Sequence, residues 1–207
     1  MTSKTSIIAI SGTIGAGKDT LAELIAEECK VACERHAWAD KVRDVTEILT
    51  GYLMPITHPA GAPFFNEVKN YTQEDKEHYL PLWDKTIGQC LQLIGTEVFR
   101  ERFDKDTWVK SLFSSTGKLC LEKKHILILP DTRFPNEADA VLERGGIVIR
   151  LEGDPVGIRA NSTRDLTHAS ETSLDNYQHF TRVINNNVPV IHLLRAEARK
   201  IINDYLL

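Results

Sequence analysis

The residues best suited to chemistry form a glycine-rich loop near the start of the chain. Gly12, Gly15 and Gly17 precede Lys18, and the apolar run 7–10 comes directly before them. Glycines allow the backbone dihedral angles that such a loop needs, and its amides then converge on phosphate oxygens at a helix N-terminus. Lys18 adds a positive charge on the β/γ-phosphate side. A strand, a glycine loop and a helix in this order predict a P-loop that binds a nucleoside triphosphate.

One position of the loop departs from the usual pattern, in which a Ser or Thr after the lysine offers its hydroxyl to Mg²⁺. Asp19 stands at that position and Thr20 follows it. Thr20, a water molecule or Asp19 itself must then take the role of metal ligand. The residues expected to contact ATP are Gly12, Thr13, Gly15, Ala16, Gly17, Lys18, Asp19 and Thr20.

The composition excludes several classes of protein. The chain has 207 residues and a net charge of −4, whereas binding to a polynucleotide depends on a basic surface. Its apolar runs are shorter than the roughly 20 residues of a membrane helix, and its first residues do not resemble a signal peptide. The four cysteines have neither a disulfide nor a zinc spacing. We therefore expect a cytoplasmic protein that acts on small molecules, without polynucleotide or membrane, and a homodimer is left open.

Apolar patterning predicts strands that alternate with helices. The predicted strands are 7–10, 36–39, 126–129, 147–149 and 183–184, and the predicted helices are 20–35, 40–51, 86–100, a helix near 106–112, 136–144 and 190–205. This alternation is typical of a doubly wound α/β fold, in which a parallel sheet lies between two layers of helices. We expect one domain with a core of about 1–51 and 120–207, an insertion of about 52–119 and a polar lid of about 152–172.

Charged residues near the expected ligand site are the next candidates. Asp131 and Arg133 follow the apolar run 126–129, and Arg159 and Arg164 lie in the polar segment. Phosphoryl transfer needs positive charge around the moving group, which these arginines would supply. The alternatives are an ion pair of Arg133 with Glu137 and a solvated loop for the other two. Asp131 would hold Mg²⁺ through water or orient an acceptor phosphate, and its alternative role is a helix N-cap.

Other polar and aromatic residues allow two interpretations each. Asp40, Lys41 and Arg43 follow the second predicted strand, where they would bind an acceptor or form a solvated helix start. Trp108 would stack on a base or belong to the core. His168 would contact phosphate or lie at the surface as a capping residue.

Taken together, these segments resemble the bacteriophage deoxynucleoside monophosphate kinases, a branch of the P-loop nucleoside monophosphate kinase group. The stretches Leu-Gln-x-x-Gly-Thr and Asp-x-Arg-Phe-x-Asn-Glu carry the resemblance more specifically than the glycine loop does. The similar segments are 12–20, 39–41, 91–97 with Arg100 and Trp108, 131–137, 168–171 and 184–186. The resemblance spans most of the chain.

The resemblance implies a three-layer P-loop kinase fold and the transfer of the γ-phosphate of ATP to a deoxynucleoside monophosphate, with Mg²⁺. The catalytic set is then Lys18, Arg133, Arg159 and Arg164, and the metal set is Asp19, Thr20 and Asp131. The expected substrate-binding residues are Asp40, Lys41, Gln92, Gly95, Thr96, Arg100, Trp108, Asp131 and His168. Among these, the resemblance assigns Lys41, Gly95, Thr96 and Arg100 to the monophosphate site.

Two departures from the family pattern leave the identity of the phosphate acceptor undetermined. Gly88 stands where such proteins often carry an arginine, and residues 52–85 fit the family poorly, so base specificity does not carry over. One rival is another small-molecule kinase on the same scaffold, of the dephospho-coenzyme A or phosphomevalonate type. A rival of another class is a nucleotide-binding regulator that transfers no phosphate, and Asp19 and Gly88 are the features in its favour.

Overall fold

The computed structural model describes residues 5–53, 56–57, 63–66, 68–69, 71–157, 166–167 and 169–206. Its strands are β1 Ile7–Gly12, β2 Cys33–Arg35, β3 Ile56–Thr57, β4 Val68–Lys69, β5 Tyr79–Leu80, β6 Lys85–Thr86, β7 Ile126–Leu129, β8 Ile147–Glu152 and β9 Arg182–Asn185. Five of them form a parallel sheet in the order β2-β7-β1-β8-β9. The other four form two short antiparallel pairs, β3 with β4 and β5 with β6.

Helices cover both faces of the parallel sheet. They are α1 Lys18–Glu28, α2 Asp40–Thr50, α3 Gln73–Glu77, α4 Ile87–Gln92, α5 Thr107–Ser114, α6 Thr116–Glu122, α7 Pro135–Leu142, α8 Ala169–Thr172 and α9 Ile191–Ile201. Helix α4 continues as the π-helical segment Leu93–Phe103, and α9 continues as Ile202–Leu206. Among the described residues, no helix is long and apolar enough to cross a bilayer.

Alternation along the strands divides the core into two layers. In β1, Ile8 and Ile10 pack with α1 and α9 on one face, whereas Ile7 and Ala9 pack with α5, α6 and α7 on the other. All four side chains are almost completely buried, as expected for a parallel strand covered on both faces. The predicted α/β fold with a parallel sheet between helices is confirmed.

The second strand corrects the sequence analysis. The predicted helix 20–35 ends at Glu28, and the strand lies at Cys33–Arg35 instead of 36–39. Cys33 pairs with Ile126 in the register of β7, and both Cys33 and Glu34 are buried. The burial gained by joining the sheet outweighs the helical spacing of apolar residues in this segment.

The expected insertion has apolar packing of its own. A third cluster joins α2 to α4 and α5, and its buried members are Val42, Tyr71, Leu80, Ile87, Cys90, Ile94 and Trp108. The described residues of 52–85 contain the two antiparallel pairs and α3, so this segment is more regular than expected. Helix α6 was not predicted. The limits of the insertion remain a prediction.

The topology places a crevice at the carboxyl ends of β1 and β8. These two strands are parallel neighbours, but the connections that leave them run to opposite sides of the sheet. The chain passes from β1 to β2 on one side and from β8 to β9 on the other. Ligands of open α/β sheets bind at such a switch point. The glycine loop follows β1 directly and therefore lies at this crevice.

Candidate functional site

The glycine loop connects β1 to α1 in a conformation that depends on its glycines. Gly15 and Gly17 have φ angles of 82° and 91°, which disfavour residues with a Cβ atom. A Cβ on Gly12 would lie 2.4 Å from the carbonyl oxygen of Leu151, so β8 leaves no room there for a side chain. The loop amides at the start of α1 therefore form a concave anion site of the kind that holds phosphates.

Asn186, just after β9, supports the loop from outside. Its Nδ2 donates a hydrogen bond of 2.9 Å to the carbonyl oxygen of Ala16. The same nitrogen would lie 2.9 Å from a Cβ on Gly17, so the amide and the glycine fit closely together. In the sequence this asparagine belongs to one of the segments that carry the resemblance, which implies no particular role for it.

Lys18 points back into the mouth of the loop. Its Nζ donates a hydrogen bond of 2.8 Å to the carbonyl oxygen of Thr13. Burial, together with the nearby charge of Arg133, lowers the pKa of Lys18 to about 8, while the charge of Asp19 opposes the shift. Arg133 acts electrostatically on Lys18, and an anion bound beside both cations would raise the pKa of the lysine again.

The predicted metal residues do not form a carboxylate cage. Asp19 pairs with Arg35 at 2.7 Å, and its side chain is 69% exposed. In the described ranges, no group of three or more histidine, cysteine or acidic side chains is arranged to hold a metal. Mg²⁺ at nucleotide sites is bound by substrate phosphates, water and one or two protein oxygens, and Asp19 and Thr20 beside the loop fit that mode.

Two clefts open near Lys18. The first, which we name the loop cleft, is bounded by the glycine loop, the turn after β8 and the start of α9. Its lining residues are Gly15, Gly17, Lys18, Asp19, Thr20, Pro155, Val156, Asn186, Pro189, Val190, Ile191 and Leu194. The polar side faces the phosphate site, and the apolar side is suited to a flat ring.

The second cleft, which we name the insertion cleft, lies between α2, the α4 region and the turn after β7. Its lining residues are Trp38, Ala39, Val42, Arg43, Lys76, Leu91, Gly95, Thr96, Arg100, Trp108, Asp131, Arg133, Phe134 and Glu137. Aromatic and aliphatic walls therefore face several cationic side chains. This combination suits a ligand with an apolar ring and a negative charge.

Arg100 is held rigidly in the wall of the insertion cleft. Its guanidinium pairs with Glu137 and lies over the ring of Phe134, 4.1 Å from the centroid. Glu137 is 1% exposed. Burial raises the pKa of Glu137 to about 7, although Arg100 beside it acts in the opposite direction.

Arg133 lies in the turn after β7 and lines the insertion cleft. Its guanidinium Nη1 pairs with Glu171 and donates a hydrogen bond of 3.1 Å to the carbonyl oxygen of Ser170. The alternative of an ion pair with Glu137 is wrong, because Glu137 accepts the backbone N–H of Arg133 instead, at 2.8 Å. Helix α8 thus holds the arginine that lines the insertion cleft.

Asp131 fastens the loop before α2 to the same turn. Its two oxygens accept the backbone N–H groups of Trp38 and Ala39 at 3.1 and 3.3 Å, and burial raises its pKa. The alternative role of Asp131 as a helix N-cap is wrong, because Glu137 provides the capping contacts at the start of α7. The carboxylate therefore fixes the backbone of two residues that line the insertion cleft, Trp38 and Ala39.

The structure gathers most of the predicted substrate residues into one place. The predicted substrate-binding residues that line the insertion cleft are Gly95, Thr96, Arg100, Trp108 and Asp131, and Arg133 of the predicted catalytic set lines it with them. Trp108 is 4% exposed and donates its indole N–H to the carbonyl oxygen of Gly95 at 2.8 Å, so it also belongs to the core. Arg159, Arg164 and His168 lie outside the described residues.

Three predicted substrate residues do not line the cleft. Lys41 pairs with Asp44 at 2.7 Å on the outer side of α2. Asp40 accepts the backbone N–H of Ala37 at 2.7 Å and pairs with Arg43, so its carboxylate closes the preceding turn. The third residue, Gln92 at the end of α4, is exposed.

Sequence reasoning missed Lys76 as a cleft residue. A Cβ on Gly88 would lie 3.1 Å from the carbonyl oxygen of Lys76, so the bare glycine lets α3 approach α4. Lys76 then lines the insertion cleft. The signal was present in the sequence, because Gly88 stood out as a missing arginine, but only the fold shows which cation lies nearby.

A parallel sheet with a glycine loop and lysine at its switch point defines a P-loop α/β protein with a second cleft beside the phosphate site. No protein-family model matches the chain. A curated protein of Acanthamoeba polyphaga mimivirus, described as "Putative deoxynucleotide monophosphate kinase", is 25% identical over 196 residues, which cover 87% of this chain and 88% of that protein.

Two solved structures are similar at low identity. A sugar kinase from Janibacter sp. HTCC2649, without ligand, has 15% identity and a TM-score of 0.48, and the match covers 96% of this chain and 95% of that one. A shikimate kinase from Acinetobacter baumannii in complex with shikimate has 16% identity and a TM-score of 0.47, over 96% and 93% of the two chains.

Proposed function

We propose that this protein is a kinase that transfers the γ-phosphoryl group of ATP to the 5′-phosphate of a deoxynucleoside monophosphate, which yields the diphosphate and ADP. The observation that carries the proposal is the pair of clefts, one lined by Lys18 and the glycine loop and the other by Arg133, further cations and aromatic rings. The viral relative's description and the Leu-Gln-x-x-Gly-Thr segment support the acceptor.

ATP would bind in the loop cleft. The loop amides and Lys18 would hold its β- and γ-phosphates, and the apolar residues at the start of α9 would contact the base. Mg²⁺, bound to the phosphates and to Asp19 or Thr20, would neutralise charge on the transferred group. In this arrangement the γ-phosphate would lie on the side of Arg133.

The monophosphate would bind in the insertion cleft. Arg100 is presented there by Glu137 and Phe134, and Lys76 lies on another part of the same wall. Trp38 and Leu91 would face the base, since apolar rings gain most from burial against such walls. The phosphate of the acceptor would then meet the γ-phosphate between the clefts.

Transfer in this site needs no covalent intermediate. The acceptor oxygen would attack the γ-phosphorus in line, the bond to the ADP oxygen would break, and cations would stabilise the charge that spreads over the moving group. Lys18 and Arg133 would supply two of these cations. By the resemblance, Arg159 or Arg164 would add a further cation from the lid.

An ADP-release assay tests the proposal and identifies the acceptor. ATP and Mg²⁺ are supplied with each deoxynucleoside monophosphate, its ribose counterpart or dephospho-coenzyme A. We expect acceptor-dependent turnover with one or more deoxynucleotides. Turnover with dephospho-coenzyme A alone would assign the rival kinase type, and ATP binding without turnover for any acceptor would favour the regulator.

A further inference from the structure

Glu137 is a buried carboxylate that has no part in the proposed transfer step. It lies on the first turn of α7 and is 1% exposed. Burying a charge is costly unless the charge is paired and hydrogen-bonded, so the contacts that it makes must compensate for its desolvation. Those contacts involve two of the arginines that line the insertion cleft, Arg100 and Arg133.

One carboxylate joins two separate segments of the chain. Its Oε1 pairs with the guanidinium of Arg100, on the π-helical segment after α4. Its Oε2 accepts the backbone N–H groups of Arg133 and Phe134, at 2.8 and 3.1 Å, in the turn after β7. Both oxygens are therefore in use, each on a different element.

The two contacts determine where positive charge lies in the cleft. Arg100 is held between Glu137 and the ring of Phe134, which leaves its guanidinium few other orientations. The backbone bond to Arg133 sets the turn from which the Arg133 side chain starts, and Glu171 holds the far end of that side chain. A fixed guanidinium fork recognises a phosphate with little loss of entropy.

We propose that Glu137 is a positioning residue for the acceptor phosphate: its carboxylate holds Arg100 and the backbone turn of Arg133 in the geometry that binds the monophosphate. This inference rests on the proposed function and adds to it a residue that does not itself touch the substrate. An amide at this position has one accepting oxygen, and its NH₂ group would face either Arg100 or the two backbone N–H groups. Glu137→Gln must therefore lose one of the two contacts.

The test compares Glu137→Gln with a carboxylate that is buried to a similar degree away from both clefts. Glu34 is 3% exposed and bonds to His36, His125 and Lys123, and it lines neither cleft. Glu34→Gln therefore reports the general effect of removing a buried charge. The readouts are the KM values for ATP and for the monophosphate, and the monophosphate affinity from tryptophan fluorescence, since Trp38 and Trp108 line the insertion cleft.

We expect Glu137→Gln to raise the acceptor KM and dissociation constant by about tenfold or more, the effect of losing one charged hydrogen bond. The KM for ATP should stay close to the wild-type value, and Glu34→Gln should change neither constant. An equal rise of both KM values, or an unchanged acceptor affinity, would overturn the inference. A wild-type protein that binds no monophosphate would overturn the proposed function together with the inference.

A double-mutant cycle separates positioning from helix capping. If Glu137 acts through Arg100, Arg100→Ala and Glu137→Gln should be strongly non-additive in acceptor KM. Additive effects would assign Glu137 a capping role only. Should Glu137→Gln fail to fold, Glu137→Asp keeps the charge but is too short for both contacts, and the same rise in acceptor KM with an unchanged ATP KM is expected.

Discussion

At the scale of single residues, Lys18 shows how burial and function are connected. The ammonium is buried, and both the burial and the charge of Arg133 lower its pKa. The proposed triphosphate would offset the repulsion between the two cations. The contacts that lower the lysine pKa would therefore also favour the binding of an anion.

Replacing Lys18 should abolish most of the activity without unfolding the protein. We expect Lys18→Ala to lower turnover on the order of 10³-fold, because the charge on the transferred phosphoryl group loses its nearest cation. The ADP-release rate and a thermal melt measure the two quantities. Lys30→Ala, at an exposed lysine away from both clefts, is the matched control. A Lys18→Ala variant with normal turnover would exclude the assigned role.

Lys76 gives a second prediction at this scale. We expect Lys76→Ala to raise the KM for the monophosphate by about tenfold, since one charged contact to a phosphate is lost, and to leave the KM for ATP unchanged. Steady-state kinetics with each substrate varied in turn measures both values. The exposed Lys105 supplies the control Lys105→Ala. An unchanged acceptor KM would show that Lys76 lines the cleft without contacting the ligand.

At the scale of elements, the ends of strands position the site. Strand β9 ends beside the glycine loop, where Asn186 holds the carbonyl group of Ala16. Strand β7 ends in the turn that carries Asp131 and Arg133. The loop cleft and the insertion cleft are therefore shaped by contacts between elements that are far apart along the chain.

Removing the Asn186 contact should weaken ATP binding. We expect Asn186→Ala to raise the KM for ATP about fivefold, which corresponds to one ordinary hydrogen bond of about 1 kcal/mol. The acceptor KM should change little, because the bond lies on the loop-cleft side. Asn185→Ala, at the exposed neighbouring position, should match the wild type. The same KM for ATP in both variants would contradict the role of Asn186 in supporting the glycine loop.

The elements that the sequence predicted well are those whose local signals agree with their burial. The run 126–129 is buried throughout as β7, and the helix expected from 40 to 51 is α2, which ends at Gly51 with a φ of 70°. The segment 29–35 was predicted wrongly because its strand is only three residues long and exists through pairing with β7. Such pairing leaves little local pattern for a single sequence to reveal.

The candidate site likewise contains residues that the sequence predicted and residues that it did not. Residues 12–20 are contiguous, so their spacing alone predicted the phosphate loop. Glu137, Glu171 and Asn186 were missed because each acts across the fold on a distant segment. An acidic residue at a helix start, or an amide after a strand, also has many ordinary roles. Contacts between distant segments require the topology, which the spacing of residues does not specify.

At the scale of the whole molecule, α1 and α9 are joined by an ionic contact. Glu28 near the end of α1 accepts hydrogen bonds from Arg195 and Arg199 of α9, at 2.7 and 2.8 Å. Hydrogen bonds from Arg199 and Arg195 lower the pKa of Glu28 from 4.5 to about 2. The contact therefore joins the two helices whose first turns border the loop cleft.

The contact predicts a pH-dependent difference in stability. A lowered carboxyl pKa stabilises the folded state above the ordinary value, and the contribution is lost as pH falls from about 4.5 towards 2. Glu28→Gln should therefore melt below the wild type at pH 7, and the gap should narrow below pH 4.5. Added salt should also narrow it, since the group is partly exposed.

The exposed Glu101 provides the control for that comparison. Glu101→Gln should melt with the wild type at every pH, because the exposed Glu101 forms no ion pair with the part of the chain that the structure describes. A Glu28→Gln gap that stays constant between pH 7 and pH 3.5 would show that the carboxylate charge does not produce the effect. Melting followed by circular dichroism is sufficient to decide this.

The most direct test of the proposed kinase follows the transferred phosphoryl group itself, because ADP release alone does not distinguish transfer from hydrolysis. ATP labelled with ³²P at the γ position is incubated with Mg²⁺, the protein and each deoxynucleoside monophosphate, and the products are separated. We predict label in a deoxynucleoside diphosphate in the same amount as the ADP formed. Label found only in inorganic phosphate, or remaining in ATP with every monophosphate, would contradict the account.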